Sequence, residues 1–248
     1  SLTAAVSALK NSEIDVLVTA PINKSNVQSE TFTFPGHTDY LAQELEGDSL
    51  MLLISETMRV GLLTDHVAVK DVPKSITREL IDKKINIIHN TLVQDFGIEK
   101  PKIAVLGINP HNGDNGVIGD EDDTVLRPAL DNIRNNGKTI FGPYAADSFF
   151  GSGLYESYDA ILAIYHDQGL IPFKTLSFRE GVNFTAGLDT IRTSPDHGTA
   201  YDIAGKNIAD PASFKNAVNF SPAPISILSK SFFKSTELLG TFINSSFP

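Results

Sequence analysis

Cysteine is absent from the 248 residues. Neither a disulfide framework nor a thiolate metal site can form, which agrees with a reducing, cytoplasmic setting. Basic residues are in deficit, with Lys+Arg 20 against Asp+Glu 30 and a formal net charge of −10. Nucleic acid and membrane surfaces call for a basic field, so neither is an expected partner. No apolar run approaches the ~18 residues of a membrane-spanning helix. The N-terminus lacks the basic start and apolar core of a signal peptide. Residues 1–10 instead read as the end of an amphipathic helix leading into a strand, so the chain is expected to lack its natural beginning. No G-x-G-x-x-G occurs, which excludes an ordinary Rossmann dinucleotide loop.

What is present is an alternation. Continuous apolar runs at 14–20 ("IDVLVTA"), 50–55, 60–64, 103–107 and 158–165 ("YDAILAIY") read as strands. Helical patterns fall at 38–46, with Thr38 as N-cap, at 72–96, at 121–136 and, as a closing helix, at 225–239. Further elements are expected at 181–187 and 213–220. Apolar strands alternating with helices indicate an α/β protein with a largely parallel sheet and helices on both faces. In such sheets ligands bind beyond the carboxyl ends of the strands.

Polar clusters stand at those ends: Thr19-Ala20-Pro21, Thr64-Asp65-His66, Asn109-Pro110-His111 and His166-Asp167-Gln168. His89 falls inside a helix and reads as surface or packing. His66, His111 and His166 are 45 and 55 residues apart, which is no short-range metal motif. Convergence at one edge of a sheet would nevertheless give three imidazoles with an open position, a common catalytic metal site. Asp167 would then be a metal neighbour or would orient an imidazole; otherwise it is a turn former. Asp147, in "AADSFF", reads as a helix cap or as a second acid of the site.

Lys174, Asn183 and Arg192 follow in loop-like contexts. Together they would hold a phosphate by charge-assisted hydrogen bonds. His37 and Thr38, in "PGHTDY", would add donors at a helix start. Singly, each reads as a solvated surface group. The segment "DHGTAYDIAGKNIADP" carries His197, Gly198, Ala200 and Asp202 and then a turn at Gly205-Lys206-Asn207. An acid placed to bond ribose hydroxyls would favour NAD over NADP.

The stretches "VTAPINK", "FPGHTDYLA", "GINPHNGDNGVIGDED", "YHDQGLIPFK" and "GVNFTAGLDTIRTSPDHGTAYDIAGK" resemble the 4-hydroxythreonine-4-phosphate dehydrogenase family of pyridoxal phosphate (vitamin B6) biosynthesis. The last stretch also resembles the adenosine-binding loop of the isopropylmalate and isocitrate dehydrogenases. The resemblance implies their two-domain architecture, with the active site in a cleft. Residues 1–30 and 175–248 would belong to a nucleotide-side domain, and 31–174 to a central metal, substrate and dimerisation domain.

It implies NAD- and metal-dependent oxidation of 4-(phosphooxy)-L-threonine to 2-amino-3-oxo-4-(phosphooxy)butanoate, which decarboxylates to 3-amino-2-oxopropyl phosphate. His66, His111 and His166 would hold the metal, zinc first, with magnesium, cobalt or manganese as alternatives. His37, Thr38, Lys174, Asn183 and Arg192 would hold the substrate. His197, Gly198, Ala200 and Asp202 would contact NAD, and Asp167, Asp147 or a metal-bound hydroxide would serve as the general base. The site would form across a homodimer, with His66 from the second copy. Two departures stand out: a "GDPAGIGPE"-like opening loop is absent, and "NPHNGDNGVIGDED" is more acidic than the family's usual pattern. A paralogue acting on 4-phospho-D-threonate or 4-phospho-D-erythronate is the alternative, and a non-catalytic metal- or phosphate-binding fragment a second.

Overall fold

The computed structural model describes residues 2–23, 26–29, 33–34, 36–177 and 180–220. The closing helix expected at 225–239 lies outside them. The chain opens with α1 (Leu2–Lys10), which buries Val6 and Leu9, then β1 (Val16–Val18). Next come α2 (His37–Glu44), β2 (Gly47–Ile54) and β3 (Arg59–Leu62). Thr38 is not the cap of α2. That place belongs to Gly36, and Thr38 lies in the first turn.

The single long helix expected over 72–96 is two: α3 (Val72–Ser75) and α4 (Arg78–Gln94). Ile76 takes an extended conformation and Thr77 restarts the helix, its side chain accepting from Leu80 N. A capping hydroxyl satisfies one of the otherwise unpaired N–H groups of a new first turn. β4 (Ile103–Leu106) follows, then a short turn and a π-helical stretch (Asp122–Leu126) that runs into α5 (Arg127–Asn135). β5 (Ile140–Tyr144), α6 (Ala146–Gly151) and β6 (Ala160–Ala163) lead to α7 (His166–Leu176). β7 (Val182–Leu188), β8 (Ile191–Pro195) and α8 (Ala212–Asn219) complete the order.

Among the described residues, eight strands join one sheet in the order β1-β8-β7-β2-β3-β6-β4-β5. The α/β class expected from the alternation is the one found. The sheet is mixed, however: β1–β8, β3–β6, β6–β4 and β4–β5 are parallel, while β8–β7, β7–β2 and β2–β3 are antiparallel. Short connections at 55–58 and 189–190 join β2 to β3 and β7 to β8, and so tight a link permits only antiparallel neighbours.

The continuous apolarity of β4 and β6 has a direct cause. Ile103, Val105, Ala160 and Leu162 face one core beneath α4 and α5. Ala104, Leu106, Ile161 and Ala163 face another, which contains Phe173 of α7 and Phe149 of α6. A strand covered on both faces has no position for a polar residue.

Candidate active site

The carboxyl ends of β3, β6 and β4, three adjacent parallel strands, carry the three histidines. His66 follows β3 and its backbone N–H donates to Asp65 Oδ1 at 2.7 Å. His166 follows β6, and here the structure departs from the sequence reading. "HDQGLIPFK" is not a loop but the start of α7, so His166 and Lys174 share a helix. Eight residues apart, they are separated by about 12 Å along its axis.

Gly169 explains why that helix fits there. A Cβ at this position would come within 2.8 Å of Leu62 Cδ2 and 2.9 Å of Ala163 Cβ. Without a side chain, α7 lies directly on β3 and β6. Gln168 then fastens its first turn, accepting from Ile164 N at 2.7 Å and donating to Gly107 O at 2.8 Å. His166 Nδ1 lies 2.8 Å from Asp167 Oδ1, so the ring's Nε2 is left for another partner. Asp167 is thus placed within bonding distance of the His166 ring. The rings of His66 and His166 are 5.8 Å apart and tilted by 42°.

His111 lies apart from that pair. Among the described residues of one chain, no group of three or more His, Asp or Glu is set to hold a metal. His111 sits in an unusual loop in which six consecutive residues, His111 to Gly116, have positive φ, from 46° at Asp114 to 89° at Gly116. Backbone bonds of Asp114 N to His111 O and Gly116 N to Gly113 O wind it as a left-handed turn. Asn, Asp, His and Gly are the residues that enter this region at least cost, and the sequence "HNGDNG" supplies only those.

The loop is held at its base by Asp122, which is wholly buried. Its oxygens accept from Ile108 N at 2.8 Å, Asn109 N at 2.9 Å and Asn109 Nδ2 at 3.2 Å. Asp147 lies in the first turn of α6, just past β5; Ala145, not Asp147, is the cap of that helix.

A second group forms where β1, β8 and β7 lie side by side. Arg192 of β8 is 3% exposed. Its Nε and Nη2 donate to Thr19 Oγ1 at 3.1 and 2.6 Å, and its Nη1 donates to Thr185 Oγ1 at 3.2 Å. Burial pulls its pKa down to about 10, so it stays charged at neutral pH. Among the described residues it forms no ion pair with a carboxylate.

His37 lies close enough to feel that charge. Burial first, and Arg192 second, lower it to about 4, which keeps it neutral. Asn183 pairs with Ser194 across β7 and β8, and its buried Oδ1 has no hydrogen-bond partner among the described residues. Lys174 reaches over from α7, its Nζ donating to Asp196 O at 3.1 Å. Burial raises the Asp196 carboxyl despite the nearby Lys174 and His197 charges. Beyond β8, His197 Nδ1 lies 2.8 Å from Gly198 O, Ala200 takes a left-handed φ of 50°, and Asp202 is exposed in a short helical turn.

Thr185, Asp122, Gln168 and Asp196 take parts in this region that reading the sequence did not assign. Asp122 is hidden in the acidic run "GDEDD", which reads as solvated surface. Thr185 sits in an apolar strand, where a threonine passes as a β-former.

Residues 1–221 match the family model described as pyridoxal phosphate biosynthetic protein PdxA. A 4-hydroxythreonine-4-phosphate dehydrogenase of Bacteroides thetaiotaomicron is 51% identical over 220 residues, 88% of this chain and 60% of that protein. One from Sulfurihydrogenibium sp. is 48% identical over 219 residues, again 88% of this chain and 67% of the relative. The crystal structure of the Klebsiella pneumoniae 4-hydroxythreonine-4-phosphate dehydrogenase superposes with a TM-score of 0.77 at 36% identity, covering 87% of this chain and 66% of that one. The chain thus spans about 60% of the length of the Bacteroides relative.

Proposed function

The chain belongs to the PdxA family of pyridoxal phosphate biosynthetic proteins, and on that footing we propose that it serves the NAD-dependent oxidation of 4-(phosphooxy)-L-threonine at its C3 hydroxyl. The observation that carries this reading is Arg192, a buried guanidinium that, among the described residues, bonds only to hydroxyls. A buried charge without a counter-charge is costly. Such a group is therefore a functional-site candidate, here for an anion delivered by the substrate. The substrate phosphate is that anion, with Lys174, Asn183, His37 and Thr38 completing the clamp. His37, uncharged beside Arg192, bonds the phosphate without adding positive charge.

His66, His111 and His166 are the residues to hold a divalent metal, zinc first. The neutral imidazole donors suit it, and the Asp167 contact leaves His166 Nε2 available. In one chain His111 stands apart from the other two, which is compatible with a site completed across a homodimer. The resemblance assigns the second copy's contribution to His66, whereas in this chain His66 lies beside His166. When bound, the metal supplies Lewis acidity at the substrate hydroxyl and NAD the hydride acceptor.

The protein's own residues do the rest. Asp167 holds the His166 ring, and either Asp167 or Asp147 takes the hydroxyl proton as the C3 hydride leaves. The clamp at Arg192 fixes the substrate away from the reacting carbon, which lowers the barrier by positioning. The β-keto acid formed then loses CO2. His197, Gly198, Ala200 and Asp202 form the adenosine side of the NAD site. The division into a nucleotide-side part (1–30, 175–248) and a central part (31–174) belongs to the same proposal, as does a cytoplasmic setting. No helix of the described residues is long and apolar enough to cross a membrane.

The test is NADH formation, with zinc, by this chain joined to the segments that its longer relatives carry, on 4-(phosphooxy)-L-threonine and on 4-phospho-D-threonate and 4-phospho-D-erythronate. Turnover of the amino acid phosphate is expected. Turnover of the hydroxy acids alone would replace the proposal with the paralogue reading.

A further inference from the structure

Arg192 has five N–H donors. Three are used on hydroxyls: Nε and Nη2 on Thr19 Oγ1, and Nη1 on Thr185 Oγ1. Among the described residues two are left, one on each terminal nitrogen. A carboxylate in the place of Thr19 would also orient the fork, but it would neutralise the charge. A hydroxyl acceptor orients the guanidinium and leaves its charge to act on something else.

Thr19 is built to hold that position. It follows β1, where its backbone N–H donates to Thr193 O at 3.0 Å and extends the pairing of β1 with β8. It is 6% exposed. The two residues are 173 apart in sequence; Arg192 is in register with Leu17 of the parallel strand β1, and Thr19 lies two residues beyond Leu17, just past the strand's end.

We propose that Thr19 is the positioning residue of the anion site: its hydroxyl locks the Arg192 fork in one orientation without neutralising it, so that two free N–H groups meet the substrate phosphate. Thr185 restrains the other terminal nitrogen. The inference rests on the reading that Arg192 binds the substrate phosphate. A fork already held before the anion arrives loses less freedom on binding than a free arginine. A carboxylate at this position would abolish anion binding even though it bonded Arg192 more strongly.

Inorganic phosphate is the probe, titrated calorimetrically at neutral pH into the chain and into Thr19→Val, Thr19→Ser and Arg192→Met. Valine keeps the shape of threonine without the acceptor. The expected result is roughly tenfold weaker binding for Thr19→Val, the size of one lost hydrogen bond to a charged group. Thr19→Ser should stay within about twofold of the parent by keeping that bond, and Arg192→Met should not bind. Thr19→Val binding like the parent while Arg192→Met fails would overturn the role of Thr19 and leave the anion site standing. Arg192→Met binding like the parent, or no binding by the parent, would overturn both. In an NADH-formation assay, Thr19→Val should raise KM, with any fall in kcat smaller than the fall in kcat/KM; an equal fall in kcat and kcat/KM, with KM unchanged, would contradict a role in binding the phosphate. If Thr19→Val does not fold, proton exchange at Arg192 Nε in the parent decides. Slow exchange that slows further with phosphate supports the inference, and exchange as fast as in a free guanidinium overturns it.

Discussion

Gln168 bonds to Gly107 across the gap between two neighbouring strand ends, its Nε2 donating to the Gly107 carbonyl at 2.8 Å. With Oε1 on Ile164 N, one side chain ties the start of the His166 helix to the strand that leads to His111. Replacement by leucine leaves a carbonyl and an N–H without partners in a part-buried place. Gln168→Leu is therefore expected to destabilise the chain by about 1–3 kcal/mol. Urea denaturation measures it, and an unchanged midpoint would refute the bridge.

The left-handed loop offers an internal control. Gly113 and Gly116 both have positive φ, 83° and 89°. A Cβ at Gly113 would meet the Gly119 carbonyl oxygen at 2.2 Å, whereas one at Gly116 meets nothing within 4 Å. Gly116→Ala is expected to cost about 1 kcal/mol, from backbone conformation alone. Gly113→Ala should cost at least twice that, since backbone must move. Equal midpoints in thermal denaturation would show that the turn is not formed as described.

His111 is exposed at the start of that loop and takes no part in the core. Its replacement by alanine should lower zinc content, measured by mass spectrometry after dialysis, while costing in chelator no more than the roughly 1 kcal/mol expected of an alanine at a φ of 53°. Full zinc retention in His111→Ala would remove this residue from the proposed ligands.

His37 sets a pH dependence. Its folded value is about 4 against the ordinary 6.5, so the unfolded chain binds the extra proton between those values. Stability should rise with pH from about 4 to 6.5 and be complete above it. Because the ring is only half-buried, the contribution is about 1 kcal/mol after solvent screening. His37→Asn should flatten that part of the profile of melting temperature against pH. Saturating phosphate should raise the histidine's own value, read by NMR titration, because an anion beside Arg192 offsets the charge that helps to depress it.

Local pattern determined a good deal by itself. Apolar runs long enough to be buried on both faces announced an α/β protein, and the histidines just past three of them stand at the carboxyl ends of adjacent parallel strands. Reading the sequence did not assign the left-handed turn, although "HNGDNG" contains only residues that tolerate it. Tertiary structure alone decided which polar groups lose their water. Asp122 looks like one more acid in a solvated run until it is seen wholly buried, bonding a loop 13 and 14 residues away. Gln168 reaches 61 residues back, and Arg192 meets a threonine 173 residues away. Periodicity reports which face a residue occupies, over a few turns at most. Whether a charge on that face finds a counter-charge depends on which distant strand lies alongside, and chain folding alone brings that strand there.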